Sequence, residues 1–216
     1  MSNLCRVLVL CLLASPALAA PDPYFDEELH ALQQAWARVN YETPPGEART
    51  AGFEALERRA EKFTHDHPDR AEALIWEAII ESSYAGAKGG LGALSLCREA
   101  RGNLEAALKL DPKALDGSAY TSLGTLYFKV PGFPLGFGDD KKAEQLLKTA
   151  LELNPAGIDP NYFYAEYLFE HDRYREAMDH LALAAKAPPR PGRESADKGR
   201  RAEVESLRQK VQAKLG

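Results

Sequence analysis

Apolar residues recur at helical spacing along almost the whole chain, and the breaks between these stripes are short and rich in Gly and Pro. From Tyr24 to Val39, the residues Phe25, Leu29, Leu32, Trp36 and Val39 mark one helix face, which Thr43-Pro44-Pro45-Gly46 ends. A second helix, from about Ala48 to Thr64, turns Phe53, Leu56, Ala60 and Phe63 inward and closes at His65-Asp66-His67-Pro68. The next, Ala71 to Tyr84, carries Leu74, Ile75, Ala78 and Ile79 on one stripe and Trp76, Ile80 and Tyr84 on another, so it packs on both sides. Tyr120, Leu123, Gly124 and Tyr127 form a further stripe, and Ala143, Leu147 and Ala150 another that Asn154-Pro155 stops, because Pro cannot continue a helix. A last stripe holds Val204, Leu207, Val211 and Leu215. The pattern predicts an all-α chain of helix-turn-helix units.

Three of these units repeat one spacing. Ala100, Leu104, Ala107 and Pro112 match Ala143, Leu147, Ala150 and Pro155, and both match Ala177, Leu181, Ala184 and Pro189. The last two prolines lie 34 residues apart. With Tyr120, Leu123-Gly124 and Tyr127 on the preceding helix, this resembles the tetratricopeptide repeat (TPR), which implies a right-handed α-solenoid. The organisation expected is a degenerate helical hairpin over 20–70, three TPR-like repeats over 71–189, and a linker with a C-terminal capping helix over 190–216. Pro68 to Pro112 and Pro112 to Pro155 span 44 and 43 residues, so the first two repeats carry extra residues between their helices. One insertion is AGAKGGLG; the other is Lys129 to Asp140, with Asp139 and Asp140 starting the next helix. Phe133, Leu135 and Phe137 are costly on a surface loop, so they either fold back onto the neighbouring insertion or cover a cavity or partner.

Composition narrows the setting. Arg6, the apolar run Val7 to Leu13, and Pro16 before Ala17-Leu18-Ala19 read as a cleavable export signal over 1–19, too short to span a bilayer. Cys11 lacks the small residues that precede a lipid-attachment cysteine, so the expected location is periplasmic without an anchor. Cys5 and Cys11 leave with the signal, and Cys97, one turn before Ala100, reads as a small buried apolar residue. The chain carries a net charge of -5, which with export argues against nucleic acid as a partner.

Catalytic and cofactor motifs are absent from the sequence. No His-Glu-x-x-His, serine elbow or paired Cys ligands occur, His65 and His67 read as a solvated turn, and the Gly86 to Gly92 stretch lacks the Gly-Lys-Ser/Thr ending of a phosphate loop. Neither an enzyme nor a cofactor is expected; Glu166 is the least implausible acid or base. Aligning the repeats with the family, whose first helices line a concave groove, implies that Ser118, Thr121, Thr125, Phe128, Tyr162, Glu166 and Phe169 face it. The segments GLGAL, GSAYTSLG, GFPLGFGDDKKAE and APPRPGRE are similar to exported proteobacterial repeat proteins and to the T component of tripartite ATP-independent periplasmic (TRAP) transporters. That resemblance implies a protein partner such as a periplasmic solute-binding protein, and a small hydrophobic or organic ligand. A peptide or protein adaptor in cell-envelope assembly is the other reading, and homo-oligomers are compatible with so short an array.

Overall fold

The computed structural model describes residues 22–216; the expected export signal lies outside the described residues. Among the described residues nine α-helices follow in order: α1 (Pro23–Ala37), α2 (Glu47–Asp66), α3 (Ala71–Lys88), α4 (Gly90–Leu110), α5 (Ala114–Lys129), α6 (Asp140–Leu153), α7 (Ile158–Glu170), α8 (Tyr174–Lys186) and α9 (Glu194–Leu215). A wider π-helical turn, Arg38–Glu42, extends α1. Side-chain caps hold two of the starts: Asp22 accepts from the Tyr24 and Phe25 amides at 3.1 and 3.2 Å, and Asp139 from those of Lys141 and Lys142 at 3.1 and 3.0 Å. Among the described residues no helix is long and apolar enough to cross a membrane.

The helices pack as antiparallel neighbours, α3 with α4, α5 with α6 and α7 with α8, and α9 covers α8. The repeated Ala-Leu-Ala positions explain why. All nine, from Ala100 to Ala184, are 0% exposed. Small Ala lets the paired helix approach, and Leu fills the space between. Gly124 marks the tightest approach, since a Cβ there would lie 2.8 Å from Leu147 Cγ and 3.2 Å from the Ala143 carbonyl. A second apolar cluster, built on Phe25, Leu32, Phe53, Phe63 and Trp76, joins α1 and α2 to α3. His67 belongs to it, packed against the Phe25 and Phe63 rings at 5.0 and 4.9 Å.

The two insertions take different forms. The first is not a loop: its residues lengthen α3 through Lys88 and begin α4 at Gly90, with Gly89 and Gly90 (φ +63° and +65°) making the turn alone. Packing on both sides of α3 overrides the poor helix propensity of Gly86. The second is a folded loop over 130–139. Gly138 N donates to the Pro131 carbonyl at 3.0 Å, Asp139 N donates to the Tyr127 carbonyl at 2.9 Å, and neither Gly136 nor Gly138 leaves room for a side chain. Phe137 folds back, edge-on to Tyr127 at 5.5 Å and beneath the Arg101 guanidinium of α4 at 4.4 Å. Phe133 and Leu135 stay 94% and 71% exposed.

The last helix does more than cap. Val204, Leu207 and Val211 are buried against the last repeat, whereas Leu215, expected on the same stripe, is exposed. The first half of α9 reaches back to the other end of the chain. There Tyr41 Oη donates to Glu203 at 3.2 Å, Ser195 Oγ to Glu42 at 2.7 Å, and Gly199 sits flat against the Tyr41 ring where a Cβ would collide. Curvature accumulated over the repeats brings the two ends together, and the concave side becomes a chamber instead of an open groove.

Candidate functional site: the chamber inside the array

The chamber has a volume of about 1040 Å³ and its wall comes from α1, α3, α4, α5, α7, α9 and the segments between them. Trp36 of α1 and Trp76 and Ile79 of α3 form one side; Leu94 and Cys97 of α4 and Ser118, Thr121, Ser122 and Thr125 of α5 form another. The turn between α6 and α7, with Phe163, and the segment carrying Arg190, Arg193 and Arg200 complete it. Trp36 and Trp76 meet edge to face at 5.7 Å, and Trp36 Nε1 donates to Ser83 Oγ at 2.9 Å, which fixes the pair. Hydroxyls on this wall are partly spent on their own helices: Ser82 donates to the Ala78 carbonyl at 2.7 Å and Thr125 to that of Thr121 at 2.8 Å.

α5 enters the wall through a strained turn. Leu115, Asp116 and Gly117 lie in the left-handed region (φ 49°, 55° and 76°), a conformation that costs roughly 1–2 kcal/mol for each residue bearing a Cβ. Leu115 and Asp116 both face the chamber. Gly117 is required twice over, by its φ and because a Cβ would fall 2.6 Å from Leu153 Cδ1.

One end of the chamber holds a network of arginines and acids. Asp159 Oδ2 pairs with Arg190 at 2.6 Å and Asp159 Oδ1 with Arg200 at 2.8 Å. Arg190 also pairs with Asp197 at 2.6 Å and Arg200 with Glu203 at 2.6 Å. Burial alone would raise the Asp159 carboxyl, but the Arg200 and Arg190 guanidiniums win and hold it down at about 2. Arg200 lies over the Tyr162 and Phe163 rings at 4.7 and 4.4 Å. Arg193 differs. It stacks on Trp76 at 4.8 Å, its buried Nε has no partner, and it makes no ion pair among the described residues. Burial and the neighbouring Arg190 charge push it down to about 10, so it remains a cation at neutral pH.

The sequence-derived groove divides accordingly. Ser118, Thr121 and Thr125 stand on the chamber wall. Phe128, Tyr162, Glu166 and Phe169 are not among the residues that line it. Phe128 packs edge-on against Tyr167 at 5.7 Å, Tyr162 lies beneath Arg200, Glu166 pairs with Lys129 at 2.8 Å, and Phe169 packs on Tyr174 at 5.7 Å. Of Phe133, Leu135 and Phe137, only Leu135 reaches the chamber, beside Lys129, Val130 and Pro131 of the same insertion, while Phe133 points to solvent and Phe137 is packing. Cys97, expected to be buried, is half-buried on the wall, where desolvation raises its thiol pKa. The helical stripes do not mark Trp36, Trp76 or the arginines as site residues. Their signal in the sequence is slight: both tryptophans of the chain, and an Arg193/Arg200 pair seven residues apart, one just before α9 and one in its second turn.

No family model matches the sequence, and no curated protein matches it. Among solved structures, the chain is similar to TTC0263, a thermophilic TPR protein of Thermus thermophilus. The two share 16% identity and a TM-score of 0.56 over 88% of this chain and 98% of that one. MamA aligns at 19% identity and a TM-score of 0.45, covering 76% of this chain and 90% of its own. PilF of Pseudomonas aeruginosa aligns at 15% and 0.37, covering 88% and 99%. The likeness to TTC0263 is one of fold: this chain is a TPR-type α-solenoid.

Proposed function

We propose that the protein is a periplasmic TPR scaffold that holds a small organic ligand in its chamber and acts with a protein partner, as an accessory component of a solute-transport system. The observation that carries this reading is the closure of the concave face by α9. An open repeat array offers a long groove that suits an extended peptide. Here the segment from Arg190 to Arg200 fills part of that groove and joins α1, leaving a chamber of about 1040 Å³, at the upper end of the range for small-molecule sites. The periplasmic location rests on the Arg6 to Ala19 signal, and the link to transport on the T-component resemblance of GFPLGFGDDKKAE and its companion segments.

Native mass spectrometry of residues 20–216, purified gently from periplasm, tests the reading. A retained small molecule supports it; an empty protein that takes up none of a panel of organic solutes counts against it. The adaptor reading is favoured by a different observation, the 94% and 71% exposure of Phe133 and Leu135 on an otherwise tightly built loop. In-cell crosslinking from that loop, lost on replacing both by Ser, is the result that reading requires.

A further inference from the structure

In the acid–arginine network at the end of the chamber, one guanidinium makes no ion pair among the described residues. Asp159, Asp197 and Glu203 are each engaged by Arg190 or Arg200, and no acid contacts Arg193 among the described residues. Arg193 is held partly out of water between the Arg190 charge and the Asp159 and Asp197 charges, and a guanidinium so placed with no hydrogen-bond partner gains from an acceptor at its open end. Trp76 lies against the guanidinium, its ring centroid 4.8 Å from Cζ, and Nε is buried, which leaves Nη1 and Nη2 as the reachable end. That edge offers the planar fork that matches a carboxylate by two parallel N–H···O bonds. Beyond it the wall carries an apolar stretch of Trp36, Ile79, Leu94 and Phe163, with the α5 hydroxyls and Asp116 on one side.

We propose that Arg193 is the anchor for a carboxylate and that the chamber takes an organic monocarboxylate, its acid group on the Arg193 fork and its apolar body along the tryptophan wall. This rests on the ligand-chamber reading and names the chemistry of its occupant. A simple inorganic anion lacks the body that fills the space, and a neutral apolar molecule leaves Arg193 unanswered. Both tryptophans of the chain line the chamber, so their fluorescence reports occupancy directly.

The test is a titration of the purified protein, followed by tryptophan fluorescence and by calorimetry, with decanoate, decyl phosphate and decanol as probes of one body and three heads. Decanoate is expected to bind tightest, with decanol weaker by about 10- to 100-fold, the range expected for a charge-assisted hydrogen-bonded pair. Arg193→Gln removes that advantage and leaves decanol binding unchanged. Arg193→Lys, which keeps the charge without the fork, recovers part of it and serves as the second variant if the Gln form folds poorly by circular dichroism. Preference for decyl phosphate over decanoate, abolished in Arg193→Gln, overturns the carboxylate assignment while keeping the anchor. Equal binding of decanoate and decanol, insensitive to both variants, overturns the anchor while leaving the chamber as an apolar site. If none of the three binds by either readout, the chamber reading falls with it.

Discussion

Replacing Glu81 by Gln changes how stability depends on pH. Glu81 sits on α3, 4% exposed and not part of the chamber lining, and its two carboxylate oxygens accept from Asn103 Nδ2 of α4 at 3.3 and 3.1 Å. Burial raises its pKa from the ordinary 4.5 to about 8, and the nearby acids Glu77 on α3, Glu99 on α4 and Glu57 on α2 push the same way against the Asn103 hydrogen bond. Between those two pH values the folded chain keeps a proton that the unfolded chain has released. Stability contributed by this proton is full below pH 4.5, falls as pH rises through the window, and is flat above about 8. At about 1.4 kcal/mol per pH unit the whole fall amounts to about 4–5 kcal/mol, a large share of a domain's total stability. Glu77 and Glu57, both raised chiefly by burial, steepen it in the same sense. Gln keeps the shape and cannot ionise. Urea unfolding of wild type and Glu81→Gln at pH 5, 6, 7, 8 and 9 should give curves that diverge upward, the variant gaining several kcal/mol relative to wild type between pH 5 and pH 8. Any fixed cost of the amide drops out, because the readout is the slope. Parallel curves over that range would refute the argument and show a Glu81 that titrates in water-like surroundings.

Asp159→Asn leaves Arg190 and buried Arg200 short of a partner and should cost about 3–5 kcal/mol by chemical unfolding. In the wild type the Asp159 contribution is present above pH 3.8 and is lost as pH falls toward about 2, where an acid titration followed by circular dichroism should register it. Gly117→Ala, which meets both a φ of +76° and Leu153, should cost about 1–3 kcal/mol in a thermal melt, against the few tenths typical of an open surface site. Phe137→Ala should cost about 1–3 kcal/mol through lost contact with Tyr127 and Arg101, whereas Phe133→Ala should stay within about 0.5 kcal/mol, since nothing packs on it. Equal effects of the two would mean that the loop is not folded back as described.

How much of this is legible in the sequence depends on how far apart the interacting residues lie. The Ala-Leu-Ala triplets act between consecutive helices, and their spacing alone places the repeats, the close approach at Gly124 and the Asp139 cap. The chamber depends on contacts with no periodic signature. Tyr41 and Glu203 are 162 residues apart, and nothing local to either announces their hydrogen bond. A cap on the last repeat alone would leave the concave face an open groove, and that is all the stripe on α9 conveys. This one difference accounts for Tyr162: the aligned groove position holds a ring, but Arg200 from α9 lies over it. Glu166 and Phe128 miss the groove for a nearer reason, since repeat alignment fixes which helix face a residue occupies but not whether Lys129 or Tyr167 is already there. The linker residues carry the opposite error. Pro-Pro-Arg-Pro-Gly-Arg reads as a solvated connection, yet Arg190 is the hinge of an ion network and Arg193 stacks on a tryptophan over a hundred residues away in sequence. A cation in a Pro- and Gly-rich stretch acquires its role from what the fold delivers to it. In this chain the delivery is made by the same curvature that the Ala-Leu-Ala spacing encodes, so the repeat determines the chamber and, through alignment, its Ser118, Thr121 and Thr125 hydroxyls, even though it names none of its arginines.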